Sequence, residues 1–274
     1  MDNQSNMIDI WTQTEIFLRL TSFFGVLLLM AVWEVIAPLR QLTISKPKRW
    51  FSNLLILVLN GAIIRVLFPT AAVGMALYAQ QQHWGLLNLV SLPPLFSILI
   101  SVVLLDLVIY GQHVMFHAVP VLWRLHRMHH VDLDFDVTTG VRFHPIEIVL
   151  SLLIKFVAII FLGAPAVAVL IFQIALNGIT MFNHGNVRMP AFLDKIIRFI
   201  IVTPYMHRVH HSEIPNETNS NFGFNLSIWD RLFGTYRQQP KLGYQKMTVG
   251  IKEIHEPKYC AGLWGMLKLP FIRF

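Results

Sequence analysis

Twelve histidines stand in the 274-residue sequence, and their spacing is its strongest chemical signal. His113 and His117 form an H-x-x-x-H pair, and His126, His129 and His130 form an H-x-x-H-H triplet. The triplet spacing returns at His207, His210 and His211, with His144 (in Arg-Phe-His-Pro) and His184 (in Asn-His-Gly-Asn) between the two. On a helix, positions i, i+3 and i+4 share a face, so each group offers its imidazoles to one side. Neutral imidazole is the commonest side-chain metal ligand, and its other ring nitrogen is oriented by a hydrogen-bonding partner. One first-row ion takes about four to six ligands. Ten histidines therefore exceed one coordination sphere and suit a pair of ions. Candidate orienting partners are Asp106, Tyr110, Asp136, Glu147, Asn183 and Asn186; Asp106 and Tyr110 share the helical face of His113 and His117. The single cysteine, Cys260, excludes a cysteine-based zinc site and an internal disulfide.

The elements that position these residues are membrane helices. Apolar residues make up 55% of the chain and charged residues 14%, against roughly a quarter charged in soluble domains. A span needs about 20 mostly apolar residues. The stretch from Phe17 to Ala37 meets that requirement, as do Phe51 to Tyr78 and Leu95 to Val119. The run from Ile148 to Phe182 is too long for one helix, and Gly163-Ala164-Pro165 near its middle predicts a helical hairpin. Arg40, Lys46, Lys48 and Arg49 crowd the loop after the first span, whereas residues 79–94 hold no Lys or Arg. The positive-inside rule then puts the first loop in the cytoplasm, and with it residues 120–146 and everything after 183. The fold class expected is all-α: a polytopic membrane protein with four or five membrane-inserted helices and a cytoplasmic, histidine-rich helical cap holding a dinuclear metal site. The net charge of +7 sits beside apolar spans, so nucleic acid is not expected as a partner. No removable signal peptide is expected, since Asp2 and Asp9 precede the first apolar run.

Other polar residues have plainer readings. His83 and His255 read as interfacial residues, Lys155 as a snorkelling side chain, and Asp106 either as a partner of a metal-bound histidine or of Arg65. Asp132, Asp134 and Asp136 imitate the start of a calcium loop, but Val137 stands where that loop needs Gly and Phe143 where it needs Glu. Imidazole alone accepts iron or zinc. Iron is preferred because a membrane-embedded metal pair suits O2 chemistry.

Taken with their surroundings, these residues resemble the fatty acid hydroxylase superfamily, also called the sterol desaturase family, of integral membrane di-iron enzymes. The likeness is carried by His-Arg-Met-His-His-Val-Asp at 126–132, Phe-Asp-Val-Thr-Thr-Gly-Val-Arg-Phe-His-Pro-Ile-Glu at 135–147, Asn-Phe-Gly at 221–223 and Trp-Asp-Arg-Leu-Phe-Gly-Thr-Tyr at 229–236. It covers residues 95–237, which become the expected catalytic domain between an N-terminal transmembrane region (1–94, two spans) and a C-terminal cytoplasmic tail (238–274). The resemblance implies two iron ions and O2 as co-substrate. It implies His113, His117, His126, His129, His130, His184, His207, His210 and His211 as ligands, with His144 as a further candidate. Asp106, Tyr110 and Asn183 are the expected orienting partners. The implied reaction is hydroxylation of an unactivated C–H bond of a membrane lipid, fatty acyl chain or sterol; a sterol-type C-5 desaturase shares the ligand set. There are departures: Arg188 stands four residues after His184, where fatty acid 2-hydroxylases have a further histidine, and Ala118 follows His117, where ether-lipid-cleaving relatives have glutamate. The sequence has no His-Pro-Gly-Gly motif, so electrons are expected from a separate ferredoxin or cytochrome b5-like donor with its reductase. A His-rich membrane metal transporter or sensor is the reading from another class; a bis-His haem protein would not need tandem triplets.

Overall fold

Proline in the first helical turn, where its missing N–H is not needed, starts most of the helices that matter here. The computed structural model describes residues 2–68 and 71–273. In chain order it has α1 (Asp2–Ile36), α2 (Lys46–Leu67), α3 (Ala71–Gln81), α4 (Pro94–Ala118), α5 (Pro120–His130), α6 (Pro145–Leu162) and α7 (Ala166–Asn183). Shorter helices follow: α8 (Ala191–Ile197), α9 (Pro204–His210), α10 (Pro215–Thr218), α11 (Ile228–Leu232), α12 (Gly243–Lys246), α13 (Pro257–Cys260) and α14 (Leu263–Lys268). Among the described residues only isolated β-bridges accompany them. Among the described residues five segments are long and apolar enough to cross a membrane: Gln13–Ile36, Lys46–Asn88, Pro94–Ala118, Pro145–Leu162 and Ala166–Asn183.

The hairpin forms where Gly163-Ala164-Pro165 predicts it. Gly163 caps α6 with φ +67°, the left-handed conformation that glycine adopts freely. The turn is closely covered, since a Cβ on Gly85 would collide with the backbone nitrogen of Gly163. The second span departs from the single helix expected over Phe51 to Tyr78. Phe68 leaves the helix at φ −137°, as a residue before proline is pushed to do; the join at residues 69 and 70 lies outside the described residues. The amino-terminal half of α2 turns a polar face inward, while Phe51 and Leu55 stay exposed on the other. Arg49 and Asn53 are fully buried there, Asn53 donating to Thr138 Oγ1 at 3.0 Å.

At the histidine end the helices are joined by a buried polar frame. The Arg49 guanidinium donates to both carboxylate oxygens of Asp132 (2.9 and 2.7 Å) and to Asp136 (2.6 Å), and Arg142 lies 3.1 Å from Asp132. Burial raises the Asp132 carboxyl, but the two guanidinium groups outweigh it and hold the group at about 2. Asp134 accepts from the backbone of Thr43 and Ile44. The three aspartates of the calcium-like run are thus taken up by arginines and N–H groups. The expected tail folds back onto this end: Ser52 donates to the Ala261 carbonyl, Arg142 to Cys260 and Arg124 to Pro270, at 2.7–2.9 Å.

Candidate metal centre

The site is assembled by one corner. Pro120 forces Val119 into extended backbone (φ −94°, ψ 116°) and starts α5 at once. The chain therefore doubles back, and α5 lays its histidines beside the end of α4. His126 Nε2 lies 3.1 Å from His113 Nε2, and His130 Nε2 lies 3.1 Å from His117 Nε2. From the other side comes α9, fixed by Thr203 as its N-cap and Pro204 in its first turn. His184 caps the end of α7.

Nine histidines fall into two adjoining groups. Cluster one holds His113, His117, His126, His130 and His210; cluster two holds His129, His184, His207 and His211. Within each, one ring nitrogen per residue lies within 4.8 Å of the others. Each triplet is divided between the clusters, so α5 and α9 both span the pair. The clusters touch, with the rings of His130 and His211 stacked at 4.5 Å.

The remaining ring nitrogens show what the donors are arranged for. His113 Nδ1–H donates to the Phe222 carbonyl (2.7 Å), His126 Nδ1–H to Glu147 Oε1 (2.7 Å), His184 Nδ1–H to the Thr180 carbonyl (2.7 Å) and His210 Nδ1–H to the Ser220 carbonyl (2.8 Å). A carbonyl or carboxylate only accepts, so the proton sits on Nδ1 and Nε2 carries a bare lone pair. His113 and His126 thus point two lone pairs at each other across 3.1 Å. Two acceptors at that distance repel unless a cation lies between them, and a first-row metal ion meets the need. Protons do not, because burial holds the imidazoles of His129, His130, His207, His210 and His211 well below their ordinary range and that of His184 down to about 3, with the charges of neighbouring histidines lowering most of them further. The donor set fits two metal ions. Aromatic side chains close the walls: Phe143 stacks on His129 at 4.4 Å and Phe135 on His184 at 5.3 Å.

His144 is not brought to either cluster. Its ring caps α6, Nδ1 accepting from Ile146 N–H, with Nε2 3.2 Å from the Leu267 carbonyl. Asp106, Tyr110 and Asn183 likewise hold no imidazole. Asp106 accepts from Trp229 Nε1–H (2.8 Å) and Leu226 N–H (3.1 Å), the Tyr110 hydroxyl bonds that of Thr235 (2.9 Å), and Asn183 donates to the Phe224 carbonyl (2.9 Å). All three fasten the 222–235 segment, whose neighbouring carbonyls orient His113 and His210. Of the wider group, Glu147 alone binds a histidine; Asp136 serves Arg49, and Asn186 bonds Arg40 and Arg208. The backbone carbonyls of Thr180, Ser220 and Phe222 leave no signal in residue type and could not be found from sequence. His83 and His255 stand apart, His255 half exposed and 3.4 Å from Glu213.

A family model described as fatty acid hydroxylase matches residues 98–235. The chain is 33% identical over 183 residues to the ornithine lipid hydroxylase OlsE of Rhizobium tropici, a match covering 66% of this chain and 52% of that protein. It is 30% identical over 132 residues to the alkylglycerol monooxygenase of Xenopus tropicalis (46% and 27%) and 24% identical over 171 residues to the cholesterol 25-hydroxylase of Rattus norvegicus (61% and 51%). The matches thus span about half, a quarter and half of these relatives. No solved structure matches.

Proposed function

The chain belongs to the fatty acid hydroxylase family, and from that premise we propose that it is a membrane oxidoreductase that hydroxylates an unactivated C–H bond of a membrane lipid with two histidine-bound iron ions and O2. The observation that carries the reading is the facing pair of His113 and His126, whose lone-pair-bearing Nε2 atoms lie 3.1 Å apart, with the Nε2 atoms of His184 and His129 at the same separation in cluster two. Cluster one would hold one ion and cluster two the other. Iron, when bound, supplies with O2 and donated electrons the oxidising power for the C–H bond. The chain's own residues do the rest. The Nδ1–H bonds of His113, His126, His184 and His210 keep those imidazoles in the tautomer that leaves Nε2 free, and the Glu147 carboxylate holds the proton of His126 on Nδ1. Phe135, Phe143 and Phe224 help to keep water from the reacting groups. The names of the relatives all concern lipids, which supports a lipid substrate here.

Eight of the nine cluster histidines are no more than 2% exposed. That enclosure supports a catalytic site over a transport path, in which ligands lie between spans on a route for the ion. The same reading places residues 95–237 as the catalytic unit, the histidine end in the cytoplasm, and the electron donor, ferredoxin or cytochrome b5-like, on a separate protein with its reductase. Elemental analysis of iron-grown protein is expected to give close to two ions per chain and no haem Soret band. Lipidomics of cells with and without the gene is expected to show a lipid that gains one oxygen atom. One ion or none in active protein would sink the dinuclear reading, and a lipid that loses two hydrogens instead would make the reaction a desaturation.

A further inference from the structure

Beside cluster one the surface opens into a cleft of about 620 Å³, lined by Asn216, Asn219, Ser220 and the segment 234–239. Its floor belongs to the metal centre. Asn219 Oδ1 lies 3.3 Å from His117 Nδ1, and the Ser220 carbonyl takes the Nδ1–H of His210. Its wall belongs to the bilayer end of the cap: Thr235 bonds Tyr110, which sits on α4 one turn further into the span than His113. Next to Thr235 the chain changes character abruptly. Leu232 and Phe233 are 66% and 55% exposed, and the Phe233 ring stacks on Tyr110 at 5.3 Å. An exposed apolar shoulder at span level thus runs straight into a polar cleft. That sequence of surfaces matches the boundary at which a lipid's chain meets its headgroup.

The chemistry of the lining selects the kind of headgroup. It offers amides from Asn216, Asn219, Gln238 and Gln239 and hydroxyls from Ser220, Thr235 and Tyr236, with one formal charge, that of Arg237. Of the nearby carboxylates, Asp230 accepts from the N–H groups of Phe222 and Gly223, and Glu217, itself buried, accepts through Oε1 from Lys241 N–H. The Arg237 guanidinium forms no ion pair among the described residues. A planar guanidinium ringed by neutral donors suits a phosphate or carboxylate.

We propose that this cleft seats the anionic phosphate or carboxylate headgroup of a membrane lipid, with its chain lying over Leu232 and Phe233. That the seated lipid is the substrate rests on the oxygenase reading above; the binding does not. The test therefore uses the intact, metal-bearing protein without O2 or an electron donor, in phosphatidylcholine nanodiscs with and without phosphatidylglycerol, and reads retained lipid by native mass spectrometry. Wild type is expected to retain phosphatidylglycerol selectively. Arg237→Gln should lower that retention about tenfold, Asn216→Asp should lower it by repulsion, and Lys252→Gln, at an exposed position away from the cleft, should leave it unchanged. Inorganic phosphate serves as the soluble arm. Equal retention by wild type and both cleft variants overturns the proposal, as does displacement by inorganic phosphate without preference for the lipid, which would make the cleft a site for soluble anions.

Discussion

A histidine offers one ring nitrogen to a metal, and a partner on the other orients the ring, so the two ends of the imidazole give separate predictions. His129→Ala removes one donor of the four in cluster two, and His210→Ala one of the five in cluster one. Both variants are expected to lose lipid oxidation while inserting normally in the membrane. Each is also expected to lose chiefly the ion of its own cluster, so that metal content falls from about two towards one. Elemental analysis beside a lipid-oxidation assay checks this; two full equivalents in both variants would refute the division. His255→Ala, outside both clusters, should behave as wild type. Glu147 tests the other end of the ring. Its 2.7 Å bond to His126 fixes the tautomer, and losing such a partner typically costs about 10–100-fold in metal affinity. Glu147→Ala is expected to show that loss in a chelator competition, with Glu147→Gln, which keeps an acceptor, between it and wild type.

At the scale of elements, the centre depends on helices held by polar anchors. Arg49 is fully buried with Asp132 and Asp136, and removing one partner of such a group leaves buried charge uncompensated, at about 3–5 kcal/mol. Arg49→Met is therefore expected to unfold the histidine end, seen as a large fall in thermal midpoint. Asp106→Ala, which frees Trp229 and Leu226, should cost about 1–3 kcal/mol and yet leave two metal ions bound, because Asp106 holds the 222–235 segment and not a ring. Loss of metal at unchanged stability would restore Asp106 as a direct partner of a histidine. This pair also shows where sequence reading stops. The nine cluster histidines, the hairpin at Gly163 and the extents of the first and third spans were legible, because helical spacing and apolar runs are local properties. The division of each triplet was not, since it depends on the corner at Val119 and on which helix faces which. Arg49 read as one of several loop cations marking the cytoplasmic side, because nothing local says that its aspartates lie more than eighty residues away. Asp106, Tyr110 and Asn183 were found as polar residues near the site but assigned to the wrong neighbour, since residue type does not reveal a partner.

For the whole molecule, the question is which end faces which compartment. The hairpin fixes the two ends physically. Helix α6 runs from His144 at the histidine end to Gly163 at the other, and 18 helical residues at about 1.5 Å each separate them by most of a hydrocarbon core. Gly85 meets Gly163 at the far end, so residues 79–94, which lack Lys and Arg, lie opposite the metal centre. The basic loop lies beside it. Arg49 contributes its charge to a buried ion network, but Arg40, Lys46 and Lys48 remain at least partly exposed and still favour the cytoplasm. The native Cys260 is fully buried and should be silent to thiol reagents, which leaves a clean background. Gln82→Cys and Lys252→Cys, both at exposed positions, are then expected to behave oppositely in intact cells: an impermeant maleimide labels the first at once and the second only after the membrane is opened. Labelling of both from outside would mean that the two ends do not lie across a bilayer. Labelling of Lys252→Cys alone would invert the orientation, and would place the metal centre, with any electron donor it uses, on the outer face.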